Sequence, residues 1–219
     1  MSESQGPKRK PVVVAIAGGS GTGKTTLART IAAKLEDLHP VILAQDRYFR
    51  DFAEYSVEER EQVRTANHPR ALHWPAFHAA LDALREGRTI TEPVPGTRPY
   101  ERGEVPREIG PAGVVLVEGL FSLWDDRCRD AADLRLYTDV ADDERVLRRV
   151  YRDITERGSN LEAVVAWYRR DVKPHYATYT SATRGYADLV IPTDRPNEVA
   201  ICALVDAIRA LTARIANGS

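Results

Sequence analysis

Valine and isoleucine crowd Pro11 to Ala17 (PVVVAIA) without a polar interruption. Such a run predicts a strand buried on both faces of a parallel sheet. After a glycine-rich stretch, Gly18 to Gly23, the period changes. Leu27, Ile31 and Leu35 recur every fourth position, predicting a helix over Lys24 to Leu38. A second strand is expected at Val41 to Ala44. Phe77, Leu81 and Leu84 share one face of a helix over Trp74 to Glu86, which Gly87 stops. Val114 to Val117 reads as a third buried strand, ending in Glu118-Gly119. Further strands are expected at Leu134 to Val140 and Leu189 to Ile191. Charged helices are expected at Asp142 to Glu156 and Leu161 to Asp171, broken at Gly158-Ser159-Asn160. A closing helix covers Glu198 to Ile215.

Strands that alternate with helices define an α/β fold with a parallel sheet between helical layers. Glu92 to Pro111 breaks the alternation. It is rich in proline and glycine and reads as a long irregular connection, of a kind that usually carries function.

Charge narrows the partners. The formal net charge is −1, with 31 basic against 32 acidic residues, so the basic excess of a nucleic-acid binder is missing. Cys128 and Cys202 form no CxxC pair, which leaves neither a disulfide framework nor a zinc site. No stretch reaches the roughly 18 apolar residues of a membrane span. Lys8, Arg9 and Lys10 are followed by no signal-type apolar region. Residues 1–10 are expected to form a flexible polar tail on a soluble cytoplasmic protein, with residues 11–219 as one domain.

Chemistry enters at Gly18-Gly19-Ser20-Gly21-Thr22-Gly23-Lys24-Thr25, which fits G-x-x-x-x-G-K-[ST] and is followed by Thr26. The glycines let backbone N–H groups turn toward phosphates, and the following helix directs its positive end at the same anion. Lys24 is suited to the β- and γ-phosphates, and the Thr25 hydroxyl to Mg²⁺. A dinucleotide fingerprint would need a third glycine where Lys24 or Thr26 stands, so the motif indicates a P-loop NTPase-type three-layer fold. A GTPase is disfavoured, because the chain has no Asn-Lys pair to begin a guanine-reading element.

A kinase on this loop needs a metal-side acid, a base and mobile cations. Glu118, at the end of a buried strand, suits Mg²⁺. Asp46, after the second strand, suits proton abstraction from an acceptor hydroxyl and is a further metal ligand candidate. Arg145, Arg148, Arg149, Arg152 and Arg157 crowd one segment, with Arg145, Arg149 and Arg152 on one helical face. As a group they suit a lid over phosphates, about residues 142–160. The acids among them also fit a salt-bridged exposed helix. The histidines show no His-x-x-x-His pair.

AGGSGTGKTT, LAQDRYF, NHP at Asn67 to Pro69, VLVEGLF, RRVYRDITERG, VKP at Val172 to Pro174 and YADLVIP together resemble the uridine–cytidine kinase branch of the phosphoribulokinase/uridine kinase family. The resemblance runs from about Val12 to Leu211. It implies a five-stranded parallel sheet, ATP and Mg²⁺ as co-substrates, and often a homo-oligomer, dimer or tetramer. It matches Asp46 to the base, Glu118 to the metal acid, Arg152 and Arg157 to lid arginines on phosphates, and Arg149 to an arginine near the acceptor. An acceptor-binding insertion is expected at about 47–111.

The acceptor positions depart from the family pattern. Asn-Phe-Asp-His-Pro is here Thr65-Ala66-Asn67-His68-Pro69, so a stacking aromatic becomes Ala66 and a ribose-holding aspartate becomes Asn67. Ungapped alignment puts Tyr100 at a base-reading histidine, with Arg102 two residues on. Asn67, His68, Tyr100, Arg102 and Arg149 are therefore the expected acceptor contacts. The expected activity is phosphoryl transfer to the 5′-hydroxyl of a pyrimidine nucleoside. A same-fold kinase for another alcohol stays open, since Arg98 and Arg102 would suit an acidic acceptor. So does a non-catalytic nucleotide-binding protein.

Overall fold

The computed structural model describes residues 10–217; apart from Lys10, the expected N-terminal tail lies outside them. The chain begins with β1 (Val12–Gly18) and α1 (Lys24–Lys34), then β2 (Pro40–Ala44), α2 (Val57–Val63) and α3 (Trp74–Arg85). Next come β3 (Ile90–Glu92), the short α4 (Arg98–Glu101), β4 (Arg107–Ile109), β5 (Val114–Glu118) and α5 (Asp126–Ala131). β6 (Leu134–Asp139), α6 (Asp142–Thr155), α7 (Leu161–Trp167), a π-helical segment (Tyr168–Val172), α8 (Lys173–Tyr179), β7 (Leu189–Pro192) and α9 (Glu198–Ala216) complete it.

β2, β5, β1, β6 and β7 form a five-stranded parallel sheet in that order. Every residue of β1 is buried, as its unbroken apolar run requires. Its side chains divide by parity. Val12, Val14 and Ile16 pack in the cluster that includes Leu27 and Ile31 of α1 and Leu204 and Ile208 of α9. Val13 packs in the cluster that includes Phe77, Leu81 and Leu84 of α3. The two faces together make the three layers.

Register sets the position of the chemistry. Ile16 on β1 and Ala44 on β2 both pair with Glu118 on β5, while Gly18 pairs with Thr138 on β6. The carboxyl ends of four strands therefore meet beside the glycine-rich loop, where open parallel sheets bind ligands.

Three expectations change in detail. α1 ends at Lys34; a 3₁₀ turn over Glu36–Leu38 and a left-handed His39 follow it, so the helix does not reach Leu38. The expected irregular connection is partly ordered: β3 and β4 pair antiparallel, Ile90 to Ile109, around the buried carboxylate of Glu92. Arg107 Nη2 donates to Glu92 at 3.1 Å and Arg47 Nε at 3.4 Å, which ties this ladder to the residue after Asp46. The helix expected over Leu161 to Asp171 widens into the π-helical segment from Tyr168 onward.

Candidate active site

The loop between β1 and α1 is shaped by its own polar groups. Thr22 Oγ1 donates to Gly19 O (2.8 Å) and lies 2.6 Å from Thr138 Oγ1, while Thr193 Oγ1 donates to Thr22 O at 2.7 Å. Thr22 is thus a buried strut, with its side chain turned from the cleft. Gly21 sits at φ +93, and a Cβ there would meet the Arg145 backbone oxygen at 2.6 Å; only glycine fits under α6. Gly23, at φ +84, turns the chain into α1.

Lys24 Nζ donates to Gly19 O at 2.9 Å, across the loop. Thr25 Oγ1 donates to Glu118 Oε1 at 3.0 Å. Burial pulls the Lys24 ammonium below the usual lysine range, against the opposite pull of Glu118 and Asp46. Burial likewise raises the Glu118 carboxyl above its usual range, offset by Lys24 and Thr25 and reinforced by Asp46. Behind them, Gly119 lies so close to Gln45 that a Cβ would stand 2.1 Å from Gln45 Oε1. That oxygen accepts from Phe121 N at 2.9 Å, locking the strand ends that carry Asp46 and Glu118.

These residues line one cavity of about 470 Å³. Ser20, Lys24, Thr25, Asp46 and Glu118 line it from the glycine-rich loop, the start of α1 and the strand ends. Asn67, Arg98 and Arg102 line it from the segment between β2 and β5 and Arg149 from α6, and Arg152 and Arg157 also face in. Of the expected acceptor contacts, Asn67, Arg102 and Arg149 are brought together here. His68 and Tyr100 are not among the lining residues. His68 Nδ1 instead accepts from Arg70 N (3.1 Å), and its Nε2 lies 3.0 Å from the Tyr179 hydroxyl. Tyr100 is exposed on α4, because residues two apart on a helical turn do not share a face and Arg98 takes the inward one.

α6 also differs in part from the expected face of Arg145, Arg149 and Arg152. Its inward positions are Arg145, Arg149 and Asp153, all buried. Arg145 stacks on Tyr176, its guanidinium carbon 3.8 Å from the ring centroid, and is absent from the cavity lining. Arg148 faces elsewhere, donating to Thr193 O and Asp194 O at 2.8 and 3.0 Å. Asp153 gathers the other three: Arg149 Nε at 3.4 Å, Arg152 Nη2 at 3.1 Å and Arg157 Nη1 at 3.0 Å. Arg152 Nη2 also donates to Ser20 Oγ at 3.1 Å, reaching the glycine-rich loop.

Arg98, read in the sequence only as a charge that would suit an acidic acceptor, also ties two segments together, and two further features escaped the sequence reading. Arg98 donates to Arg50 O (3.1 Å) and Thr65 O (2.9 Å) and lies over the Phe49 ring. Burial, with Arg64 nearby, lowers its pKa to about 10. Asp171, buried on the π-helical segment, receives the Thr65 hydroxyl. A second cavity, about 390 Å³, opens beside Gly23 and Thr26 and is bounded by Leu27, Ile191, Pro192 and Ile201. Its apolar wall was visible only as separate helix and strand positions in the sequence.

Among the described residues, no group of three His, Cys, Asp or Glu side chains forms a metal centre, and no helix is long and apolar enough to cross a membrane. The oxygen set of Thr25, Glu118 and Asp46 nevertheless fits Mg²⁺, which takes one or two carboxylates and completes its shell with waters and phosphates. The buried Glu118 carboxyl is the observation that fits best, since a cation there offsets its desolvation.

A glycine-rich loop aimed at the carboxyl ends of a five-stranded parallel sheet, with Lys24, two carboxylates and inward arginines, defines a P-loop kinase fold. The sequence profile of the phosphoribulokinase / uridine kinase family matches residues 13–200, and the chain belongs to that family. It is 37% identical over 203 residues to the uridine kinase of Lactiplantibacillus plantarum, covering 93% of this chain and 97% of that one. It is 36% identical to the uridine kinase of Halalkalibacterium halodurans, covering 93% and 96%. The D-glycerate 3-kinase structure of Cryptococcus neoformans superposes with a TM-score of 0.58 at 13% identity, covering 88% of this chain and 90% of that one. That likeness concerns the fold alone. The chain is an ATP-dependent kinase acting on a small molecule.

Proposed function

We propose that the chain transfers the γ-phosphoryl group of ATP to the 5′-hydroxyl of a pyrimidine nucleoside, as a cytoplasmic enzyme. The observation that carries this reading is the single cavity joining Lys24, Thr25, Asp46 and Glu118 to Asn67, Arg98 and Arg149. The curated relatives are uridine kinases along nearly their whole length, which supports the nucleoside acceptor.

In this reading the loop from Gly18 to Gly23 cradles the triphosphate with backbone N–H groups, and the apolar cavity beside Thr26 takes the adenine. Thr25, Glu118 and Asp46 would hold Mg²⁺, which when bound neutralises charge on the phosphates. Asp46 accepts the proton of the acceptor hydroxyl. Lys24, Arg152 and Arg157 stabilise charge on the transferring group, with residues 142–160 as the lid that carries the two arginines. The insertion at 47–111 supplies the acceptor wall through Asn67 and Arg102, and Arg149 closes it from α6. His68 supports that wall from behind, through Tyr179.

A second reading is favoured by one observation. Arg98 is desolvated at the acceptor end with backbone carbonyls as its hydrogen-bond acceptors. An alcohol carrying a carboxylate or phosphate would suit it. Steady-state ATP turnover with uridine, cytidine, sugar phosphates and hydroxy acids decides between them. Uridine or cytidine giving the highest kcat/KM supports the nucleoside reading; a higher value for an anionic alcohol replaces it.

A further inference from the structure

The acceptor wall has a keystone outside the cavity. Asp171 is buried, 4% exposed, on the π-helical segment between α7 and α8. Its carboxylate accepts from three consecutive residues of the loop before α3. These are the Thr65 hydroxyl, Ala66 N at 3.2 Å and Asn67 Nδ2 at 2.5 Å. Thr65 Oγ1 in turn accepts from Asn67 N at 3.2 Å. Ala66 and Asn67 line the cavity, whereas Asp171 does not.

We propose that Asp171 is a positioning residue that fixes the orientation of the Asn67 amide and thereby sets how the acceptor hydroxyls are held. The inference rests on the acceptor site described above. A free asparagine amide presents either its oxygen or its nitrogen to a ligand. With Nδ2 committed to a carboxylate, Oδ1 is the group left for the ligand. Asn67 is then held as a hydrogen-bond acceptor, suited to receive an alcohol O–H. The bond is charge-assisted, roughly twice as strong as a neutral one, so the orientation is held firmly. The wall also gains a structural link. Asp171 lies on the chain segment that continues from α6 through α7, and π-helical turns recur where a helix is adapted to a functional site.

The test uses the full-length protein with ATP and uridine. Asp171→Asn keeps the shape but leaves one neutral acceptor oxygen where a carboxylate served Thr65, Ala66 and Asn67, so the Asn67 Nδ2 loses its charge-assisted partner and is freed to flip. Its KM for uridine should rise about tenfold or more, the loss expected for a hydrogen bond to a charged group. KM for ATP should stay within about twofold, because Asp171 is remote from the glycine-rich loop in every bond it makes. Asn67→Asp, which keeps Asp171 and its bonds to Thr65 and Ala66, should also impair uridine use by opposing two carboxylates. Combining Asn67→Asp with Asp171→Asn restores one donor facing one carboxylate, and should recover most of the uridine KM. Equal increases in both KM values without recovery in the double variant would assign Asp171 a purely structural role and overturn the proposal. An unchanged uridine KM in Asp171→Asn would overturn it as well. A separate readout needs no acceptor. The Asn67 side-chain amide resonance, identified by its loss in Asn67→Asp, should shift in Asp171→Asn; an unmoved resonance rejects the orientation. If the wild type does not turn over uridine, the nucleoside reading fails, while the amide resonance still decides the role of Asp171.

Discussion

The residues proposed above for phosphates and those proposed for the acceptor, the two ends of the site in that reading, are placed by different means. At the phosphate end, Ser20 of the loop apart, each group of interest hangs from the edge of a regular element. Lys24 and Thr25 begin α1, Glu118 ends β5, and Asp46 follows β2. Their mutual placement follows from strand register and from glycines that admit no Cβ, as at Gly21 and Gly119. At the acceptor end, placement comes from side chains that bond across long sequence distances: Arg98 to Thr65, Asp171 to Asn67, Arg47 to Glu92. Changing a phosphate-end residue should therefore remove chemistry and leave architecture. Changing an acceptor-end residue should move the wall and alter selectivity, with phosphate handling intact.

The largest effect expected from this division belongs to Asp46→Asn. The amide keeps the shape and cannot take the proton, so kcat should fall about 10²–10⁴-fold. ATP affinity measured by calorimetry should change by only a few fold. A collapse of ATP affinity with kcat retained would move Asp46 to nucleotide binding and blur the two ends. Lys24→Ala should come next, with kcat reduced about 10²–10³-fold, the range for loss of one charge-stabilising donor. Near wild-type turnover in that variant would remove the glycine-rich loop from the chemistry altogether.

A pH experiment sharpens the phosphate end. Burial holds Glu118 protonated to a higher pH than the ordinary glutamate value of 4.5. For folding, the stability from that extra proton affinity is fully present below 4.5 and is lost as pH rises through the raised value. Metal binding runs the other way, since only the carboxylate form is a ligand. Apparent Mg²⁺ affinity should weaken on acidification from a pH above 4.5 downward, by at most about tenfold per pH unit for one proton. Titration of Mg²⁺ across that range, in wild type and Glu118→Gln, measures it. A pH response unaltered in Glu118→Gln would assign the proton to another group.

The same division explains what the sequence could reveal. β1 and α1 were legible because an unbroken apolar run and a four-residue spacing are local signals. Asp46 and Glu118 were legible because acids at the ends of buried parallel strands face the cleft whatever lies elsewhere. The acceptor wall was not. Tyr100 was placed by ungapped alignment, which carries no information on which way a four-residue helix turns, and Arg98 faces the cavity instead. Arg145 fell on the right helical face, but the face packs on Tyr176 and the glycine-rich loop. The π-helical turn at Tyr168–Val172 leaves no periodic signature, so Asp171 read as an ordinary helix residue. β3 and β4 are only three residues each and pair across a stretch dense in proline and glycine.

The smallest expected effect tests the acceptor end at Arg98. Its guanidinium spans two backbone carbonyls, Arg50 O and Thr65 O, and lies 5.1 Å from the Phe49 ring centroid. It therefore joins the segment after Asp46 to the loop that carries Ala66 and Asn67, and both segments face the cavity, the first through Phe49. Arg98→Leu keeps much of the bulk and removes every donor. Both carbonyls then lose a charged partner, a loss of about 1.5–3 kcal/mol per bond at most, reduced where water can replace the arginine. Some of that appears as a lower melting temperature. The remainder appears in the acceptor, because the loop bearing Asn67 is no longer held against Phe49. KM for the acceptor should rise about tenfold, with KM for ATP unchanged within about twofold, which steady-state kinetics with each substrate varied in turn will read. Arg98→Lys separates charge from geometry: it keeps the cation but cannot span two carbonyls in one plane, and should recover less than half of the lost acceptor affinity in free-energy terms. A rise in KM for ATP matching that for the acceptor would mean that the two ends are mechanically one, and the division between them would have to be abandoned.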